Sequence, residues 1–197
     1  MNTASDVSLI KSIAEGDQRA MEIFYRRHSD AVYRFSLKTL HNGIDATEVL
    51  NEVMMEVWLK AGTYSGNSSV KTWLLSITHH KAVDTVRKKS RHDGGQELDE
   101  NTLVSPQRSL EYLQIGVENA RHVSQCMNEL KDGHRQVVYL TFFEERAYPE
   151  IAEILQIPTG TVKTRMMHAK KQLMKCLLRF TNMEGVNTIL AGNDLTP

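Results

Sequence analysis

In residues 7–40, apolar side chains recur at intervals of three or four, which is the period of an amphipathic helix. Gly16 and Asp17 interrupt this pattern, and both residue types favour turns and helix ends. The stretch therefore predicts two helices that are separated near residues 16 and 17. The apolar positions are Leu9, Ile10, Ile13, Met21, Phe24, Tyr25, Val32, Phe35 and Leu40.

The same period predicts one amphipathic helix over residues 44–61. Its apolar face carries Val49, Val53, Val57 and Trp58. Its opposite face is mainly acidic and carries Asp45, Glu48, Asn51, Glu52 and Glu56. Residues 64–69 are rich in Gly, Asn and Ser and predict a loop. A further helix is predicted over residues 70–89, and it leads into a basic cluster of Arg87, Lys88, Lys89 and Arg91.

Residues 92–106 show no helical period and are rich in polar, acidic and turn-forming side chains, which predicts a solvated linker. Beyond it, helical spacing returns at residues 110–130, 135–143, 148–155 and 159–178. No strand-like alternation of useful length occurs. We therefore predict an all-α fold of two helical domains, residues 1–92 and 110–180. A flexible linker, residues 93–109, joins them, and a tail, residues 181–197, follows.

The chain has 24 basic and 24 acidic side chains, so any nucleic-acid site requires basic residues to be segregated on particular faces. Cys126 and Cys176 show no paired-thiol spacing, and we expect semi-buried thiols in a reducing compartment. Residues 1–16 contain no apolar run typical of a signal peptide or membrane span. We therefore expect a cytoplasmic protein without membrane insertion.

Residues 148–165 have the pattern of a helix-turn-helix. Ile151, Ala152 and Leu155 share one face of a short first helix, and the small Ala152 allows a second helix to cross closely. Pro158 suits the start of that second helix, where its missing N–H is not needed. The buried stripe of the second helix is predicted to be Val162, Met166, Ala169 and Leu173.

The second helix is basic throughout residues 159–179, where no acidic side chain occurs. This charge suits DNA phosphates, and the helix fits the major groove with its first residues at base edges. A solvated basic helix in an ordinary bundle is the alternative, and the preceding short helix and turn disfavour it.

The second domain resembles the C-terminal promoter-reading domain of sigma factors of the sigma-70 family. The resemblance rests on Leu130, Arg135, Val137 and the boxes Tyr148-Pro149-Glu150-Ile151-Ala152 and Gly160-Thr161-Val162-Lys163-Thr164-Arg165. Response regulators share a similar box, so the first domain decides the choice. There, the family's polymerase-docking helix is resembled by the stretch from Asp45-Ala46-Thr47-Glu48 to Trp58. The family's segment for reading the downstream promoter element is resembled by Thr72-Trp73-Leu74-Leu75-Ser76-Ile77 and by residues 84–87. Only a short linker separates the two matches, with no middle domain between them, and in this the chain resembles the extracytoplasmic-function group.

The resemblance implies a non-enzymatic protein without cofactor or metal that directs core RNA polymerase to promoters. Its implied partners are the coiled coil of the largest polymerase subunit, the polymerase flap, promoter DNA and an anti-sigma factor. The implied polymerase-docking residues are Asp45, Glu48, Asn51, Glu52 and Glu56. The implied residues for the downstream (−10) element and its single strand are Asn67, Ser68, Ser69, Lys71, Trp73, His79, His80, Lys81, Asp84, Arg87 and Lys88. The implied residues for the upstream (−35) element are Thr159, Thr161, Lys163, Thr164, Arg165, Met167, His168, Lys170 and Lys171.

Two departures from the family pattern affect specificity rather than class. Thr78-His79-His80 replaces a common Ala-Arg-Asn run, and Asn51 replaces a common glutamine.

Two alternative functions stay open. A repressor or response-regulator-like protein would use the same helix-turn-helix and bind duplex DNA alone. A metal-dependent hydrolase would use His80 and Asp84, which lie four residues apart, but the sequence offers no further ligands or nucleophile motif.

Overall fold

The computed structural model describes residues 4–92 and 112–191, and within these ranges every regular element is a helix. The all-α prediction is confirmed. The first domain contains four helices and one short 3-10 turn, Ala61–Thr63. The helices of the first domain are α1 Asp6–Ala14, α2 Gln18–Leu40, α3 Gly43–Lys60 and α4 Val70–His92. Those of the second domain are α5 Tyr112–Asn128, α6 Asp132–Phe142, α7 Tyr148–Leu155 and α8 Thr159–Ala191.

Side-chain caps start the first three helices. Ser5, Asp17 and Asn42 accept hydrogen bonds from backbone N–H groups of the first turns of α1, α2 and α3. The break near residue 16 is confirmed, because Gly16 takes a positive φ of 88° that favours glycine. These helices pack around an apolar core whose members include Phe24, Val32, Val49, Val53, Val57 and Leu74.

The second domain is built around α6, with α7 and α8 packed on it. Arg135 fixes the connection between α5 and α6, since its guanidinium donates to the carbonyl oxygens of Met127, Asn128 and Leu130 at 3.0, 3.0 and 2.6 Å. Arg135 is only 5% exposed, so these charge-assisted bonds are important to the local fold. The apolar core includes Val137, Leu140, Ile151, Ile154, Val162 and Ala169.

The prediction of free thiols is wrong. Cys126 of α5 and Cys176 of α8 form a disulfide, with their Cα atoms 5.7 Å apart. Fifty residues separate them in the chain, so their spacing carried no signal for pairing. Only the packing of α5 against α8 brings the two sulfur atoms together.

The last helix is longer than predicted. We expected α8 to end near residue 178, but it continues to Ala191. Proline does not occur between residues 178 and 191, so the backbone hydrogen-bond ladder meets no covalent interruption there. The predicted linker, residues 93–109, lies outside the described residues, as does the end of the predicted tail, residues 192–197. Of the helices in the described ranges, none is long and apolar enough to cross a membrane.

The two domains pack against each other through α2 with α6 and α4 with α7. Phe35 and Leu75 of the first domain are fully buried within the apolar cluster of the second. The Phe35 ring stacks on Tyr139, with centroids 6.0 Å apart. Beside it, the side-chain amide of Gln136 donates to the Thr39 hydroxyl at 3.2 Å. No pattern in the sequence indicated this contact between the domains.

Candidate nucleic-acid interface

The helix-turn-helix of the second domain is built by α7, a tight turn and α8. Glu150 caps α7, because its Oε2 accepts the Ala147 N–H at 3.0 Å. Gln156 ends the helix in the left-handed conformation, with a φ of 51°. The Ile157 N–H then returns to the Ala152 carbonyl at 3.1 Å, and Pro158 leads into α8. These local bonds fix how α8 leaves the turn.

The predicted buried stripe of α8 is confirmed. Val162, Met166 and Ala169 are at most 2% exposed, and Leu173 is half-buried. The opposite face is exposed, and Thr159, Thr161 and Arg165 at the stripe's edges are half-buried. The exposed members of the predicted set are Lys163, Thr164, Met167, His168, Lys170 and Lys171.

Residues of α6 support the exposed face of α8. The guanidinium of Arg165 lies over Gly133, where an added Cβ would come within 2.9 Å of Nη1. His134 stacks on His168 with ring centroids 6.0 Å apart, and its Nδ1 is 3.2 Å from Oε1 of Gln172. His134 and Gln172 were not predicted from the sequence, because the link between α6 and α8 is tertiary.

The acidic face of α3 is partly paired within the first domain. Asp45 is buried and its Oδ2 lies 2.6 Å from Lys89 Nζ of α4. Glu56 pairs with Lys60 at 2.8 Å and with Lys81 at 3.0 Å. The hydrogen bond from Lys60, and then that from Lys81, hold the pKa of Glu56 below its usual value despite partial burial.

The rest of this face is accessible. Glu48, Asn51 and Glu52 are exposed, and only Glu52 has an ion-pair partner among the described residues, Lys81 at 3.7 Å. Exposed apolar side chains, which the sequence analysis did not single out, lie along the same helix. These are Ile44, Met55 and Leu59, at 74%, 60% and 73% exposure. A mixed acidic and apolar surface of this kind is suited to a basic, partly apolar partner.

The loop before α4 is ordered by its aromatic side chains. The Tyr64 hydroxyl donates to the Ser68 carbonyl at 2.5 Å, and the Tyr64 ring packs against Trp73 with centroids 5.4 Å apart. Gly66 has a φ of 77°, which favours glycine. Asn67 and Ser69 are exposed, whereas Trp73 is half-buried against the first core. The structure therefore supports Asn67 as an accessible polar side chain at the loop tip.

His79 and His80 have different surroundings. The His79 ring lies 6.3 Å from that of Phe35, which is buried in the apolar cluster of the second domain, and its buried Nδ1 has no hydrogen-bond partner. Burial, with smaller contributions from His80 and Arg165, lowers the pKa of His79 to about 4. His80 is exposed and its Nδ1 lies 2.7 Å from the Ser76 carbonyl. Exposed Asp84, Arg87 and Lys88 follow on α4, and Asp84 pairs with Arg87 at 3.6 Å.

The predicted downstream set is therefore divided among four surroundings. Asn67, Ser68 and Ser69 lie in the loop, and Trp73 packs against the first core. His80 to Lys88 lie along α4. Lys71 pairs with Glu144 of the second domain, and His79 packs near Phe35, which is buried in the second cluster. In the described part of the chain, no group of three His, Cys, Asp or Glu side chains is arranged to hold a metal ion.

The fold and these surfaces define a two-domain, all-helical DNA-binding protein whose second domain carries a helix-turn-helix. The family description Sigma-70 region 2 matches residues 24–92, and Sigma-70 region 4 matches residues 121–173. The chain belongs to the sigma-70 family and is a sigma factor of the extracytoplasmic-function group.

Curated relatives include the extracytoplasmic-function RNA polymerase sigma factors SigK of Mycobacterium bovis and of Mycobacterium tuberculosis. Each is 29% identical over 172 residues, which covers 86% of this chain and 92% of the relative. Two solved structures share the fold. CnrH in complex with the cytosolic domain of CnrY has a TM-score of 0.62 and 23% identity, covering 87% of this chain and 96% of CnrH. The sigma factor RpoE in complex with the anti-sigma factor NepR from Bartonella quintana has a TM-score of 0.67 and 20% identity, covering 79% and 95%.

Proposed function

We propose that this sigma factor binds core RNA polymerase and directs initiation at promoters by reading a −10 and a −35 element. The observation that carries the proposal is the exposed face of α8. Lys163, Lys170 and Lys171 are exposed there and have no acidic partner among the described residues. Such a face suits the DNA backbone, and Thr164 and His168 beside it suit base edges of the −35 element.

The accessible part of α3 is the proposed polymerase-docking surface. Glu48, Asn51 and Glu52 supply polar and acidic contacts, and Met55 and Leu59 supply apolar area beside them. The proposed site for the −10 element combines the loop residues Asn67, Ser68 and Ser69 with the exposed basic side chains of α4. Flipped bases require polar pockets and stacking surfaces, and a single strand requires nearby positive charge.

The proposed function also implies a regulator and a location. CnrH and RpoE were both solved with a protein partner, and NepR is an anti-sigma factor. We propose an anti-sigma factor for this chain as well, bound to the α3 surface with its exposed apolar side chains. Because its proposed partners are polymerase and chromosomal DNA, the chain acts in the cytoplasm. It contributes binding surfaces and no catalytic group, cofactor or metal of its own.

Transcription from purified core polymerase tests this proposal. Core enzyme is incubated with fragmented genomic DNA of the source organism, with and without the protein, and transcript starts are sequenced. New starts preceded by two shared motifs at a fixed spacing are expected. No new starts, together with tight duplex binding by the protein alone, would instead support a repressor.

A matched pair of variants tests the docking surface. Glu48→Lys reverses an exposed charge on α3, and Glu15→Lys makes the same change at an exposed position after α1. We expect Glu48→Lys to weaken binding to core polymerase by about tenfold and Glu15→Lys to have little effect, because a like charge at an interface costs on the order of 1–2 kcal/mol. Equal effects would contradict the assignment of α3.

A further inference from the structure

The first turn of α6 lies against the first half of α8. Gly133 of this turn lies under the Arg165 guanidinium, and the next residue, His134, stacks on His168. The Nδ1 of His134 is also 3.2 Å from Oε1 of Gln172. Gln172 follows His168 by four residues, and residues at this spacing are neighbours on one face of a helix. His134 therefore contacts two neighbouring side chains of α8.

His134 is not part of the apolar centre that holds α6 and α8 together. That centre includes Val137 and Val162, which are both fully buried. His134 is half-buried, while His168 and Gln172 are exposed. Polar side chains at such marginal positions usually contribute little to stability. The contacts of His134 therefore suggest a role other than holding the fold.

The ring of His134 limits the directions in which His168 can point. The two ring planes are 18° apart and the centroids are 6.0 Å apart, which is an arrangement that aromatic rings favour. Because an amide oxygen only accepts hydrogen bonds, Nδ1 of His134 donates to Gln172, and this bond fixes the His134 ring. An exposed imidazole without such neighbours would exchange between rotamers within nanoseconds. His168 is therefore oriented before DNA binds.

An oriented imidazole can distinguish base pairs in the major groove. His168 belongs to the set proposed to read the upstream element. Its N–H suits the acceptors that purines present in the groove, which are N7 of adenine and N7 and O6 of guanine. A hydrogen bond is directional, so this donor selects one base only if its direction is fixed. An ordered side chain also loses less conformational entropy on binding.

We propose that His134 is a positioning residue that determines specificity for the upstream element, although it lies outside α8. It stacks on His168 and directs that imidazole at one purine, and Gln172 keeps the His134 ring in place. This inference rests on the proposed function, because it deepens the assignment of α8 as the reader of the −35 element. His134 acts through His168 and makes no contact with the base itself.

Promoter selection by the polymerase holoenzyme tests this assignment. Promoter fragments with a randomised upstream element are incubated with holoenzyme, and the bound and unbound fragments are sequenced. His168→Ala identifies the base pair that His168 reads, as the position where the preference falls most. We expect His134→Ala to lower the preference at that base pair about fivefold, because one directed contact is lost, and to change it less than twofold elsewhere.

A double-mutant cycle separates positioning from a structural role. Added to His168→Ala, the substitution His134→Ala should change the preference less than twofold, because no imidazole is left to orient. His134→Phe retains a ring that can stack and should keep the preference within twofold of the wild type. His122→Ala is the matched control, since His122 of α5 also stacks on α8, at Phe180, with centroids 4.0 Å apart. It should leave the preference unchanged at every position.

Several outcomes would overturn the proposal. These are an equal loss of preference at all positions in His134→Ala, an equal effect of that substitution with and without His168, and a His134→Phe variant that behaves like His134→Ala. Thermal melting shows whether each variant keeps its fold. If His134→Ala is unstable, Gln172→Ala at its exposed position serves instead, and it should lower the preference at the same base pair about threefold.

Failure of this inference is distinguishable from failure of the proposed function. Wild-type holoenzyme without any preference in the upstream element would contradict the proposed function and this inference together. A preference that is lost in His168→Ala but kept in His134→Ala would contradict this inference alone. So would a preference that is unchanged in His168→Ala, because other residues of α8 would then read the element.

Discussion

The helices that carry the basic and the acidic surfaces are held in their domains by different means. α8 is anchored by an apolar stripe and by the disulfide of Cys176 with Cys126, so its exposed lysines take no part in holding it. α3 has an apolar stripe too, but Asp45 and Glu56 also tie it to lysines of α4. A charged side chain on the surface is therefore available to a partner only where it is not already paired within its own domain.

The largest expected effect is the loss of stability when the disulfide that anchors α8 is removed. The disulfide closes a loop whose ends are 50 residues apart, and Cys126→Ala with Cys176→Ala should lower the free energy of unfolding of the second domain by about 3–4 kcal/mol. Calorimetry of the oxidised protein, the reduced protein and the double variant measures this. The first domain contains no cysteine and serves as the internal control. A loss shared equally by both domains would contradict local anchoring.

The next effect concerns the free charge of α8. Lys170→Ala with Lys171→Ala removes two proposed phosphate contacts, so promoter binding by the polymerase holoenzyme should fall about 30-fold at 0.15 M salt. The slope of log affinity against log salt should become shallower by about 2. Filter binding across a salt series measures both quantities.

A substitution nearer the start of the exposed face of α8 is the counterpart of the two lysine substitutions. Thr164→Ala should alter preference among upstream sequences while leaving the salt slope unchanged, because base contacts release few counterions. If the lysine pair and Thr164 behave alike, the proposed orientation of α8 on DNA is wrong.

Smaller effects should distinguish the acidic residue of α3 that stabilises the first domain from the one proposed to bind polymerase. Asp45→Asn weakens the contact with half-exposed Lys89, so the first domain should lose about 1 kcal/mol of stability. Its affinity for core polymerase should stay within twofold of the wild type. Glu48→Gln should do the reverse and leave the melting temperature unchanged. Urea denaturation and a polymerase-binding assay measure the pair, and a loss of polymerase affinity in Asp45→Asn would contradict the division.

The smallest effect is the pH dependence of the pair Glu56 and Lys81. The pKa of Glu56 is lowered, so its contribution to stability is present above its unfolded pKa and is lost as the pH falls through the folded value. The pKa of Lys81 is raised, chiefly by its hydrogen bond to Glu56, so its contribution is lost as the pH rises through the folded value.

The pair should therefore stabilise the first domain by a few tenths of a kcal/mol between about pH 5 and pH 10. The value is small because both side chains are partly exposed. Lys81→Met should flatten the alkaline side of the stability profile, whereas Lys60→Met, which removes the hydrogen bond that most lowers the pKa of Glu56, should flatten mainly the acid side. An unchanged profile in Lys81→Met would show that the pair contributes nothing measurable.

Local sequence was sufficient where a residue's role depends on near neighbours in the chain. The spacing of Val162, Met166 and Ala169 predicted which face of α8 is buried, and the structure confirms it. The break at Gly16 was predicted for the same reason, since turn conformation is a property of a few residues. The same spacing placed Asp45 on a surface with Glu48, and there the structure differs because Lys89, 44 residues away, covers it.

The sequence by itself determined the helical class, the order of the two domains, the helix-turn-helix and the family, because helical period, turn chemistry and motif order are all encoded locally. The tertiary structure alone decided that Cys126 and Cys176 are bonded, that the Nδ1 atom of His79 is buried and that Lys71 is paired with Glu144. Each of these depends on two segments far apart in the chain. Whether two such segments come into contact depends on how whole helices pack, and the spacing of residues along the chain does not carry that information.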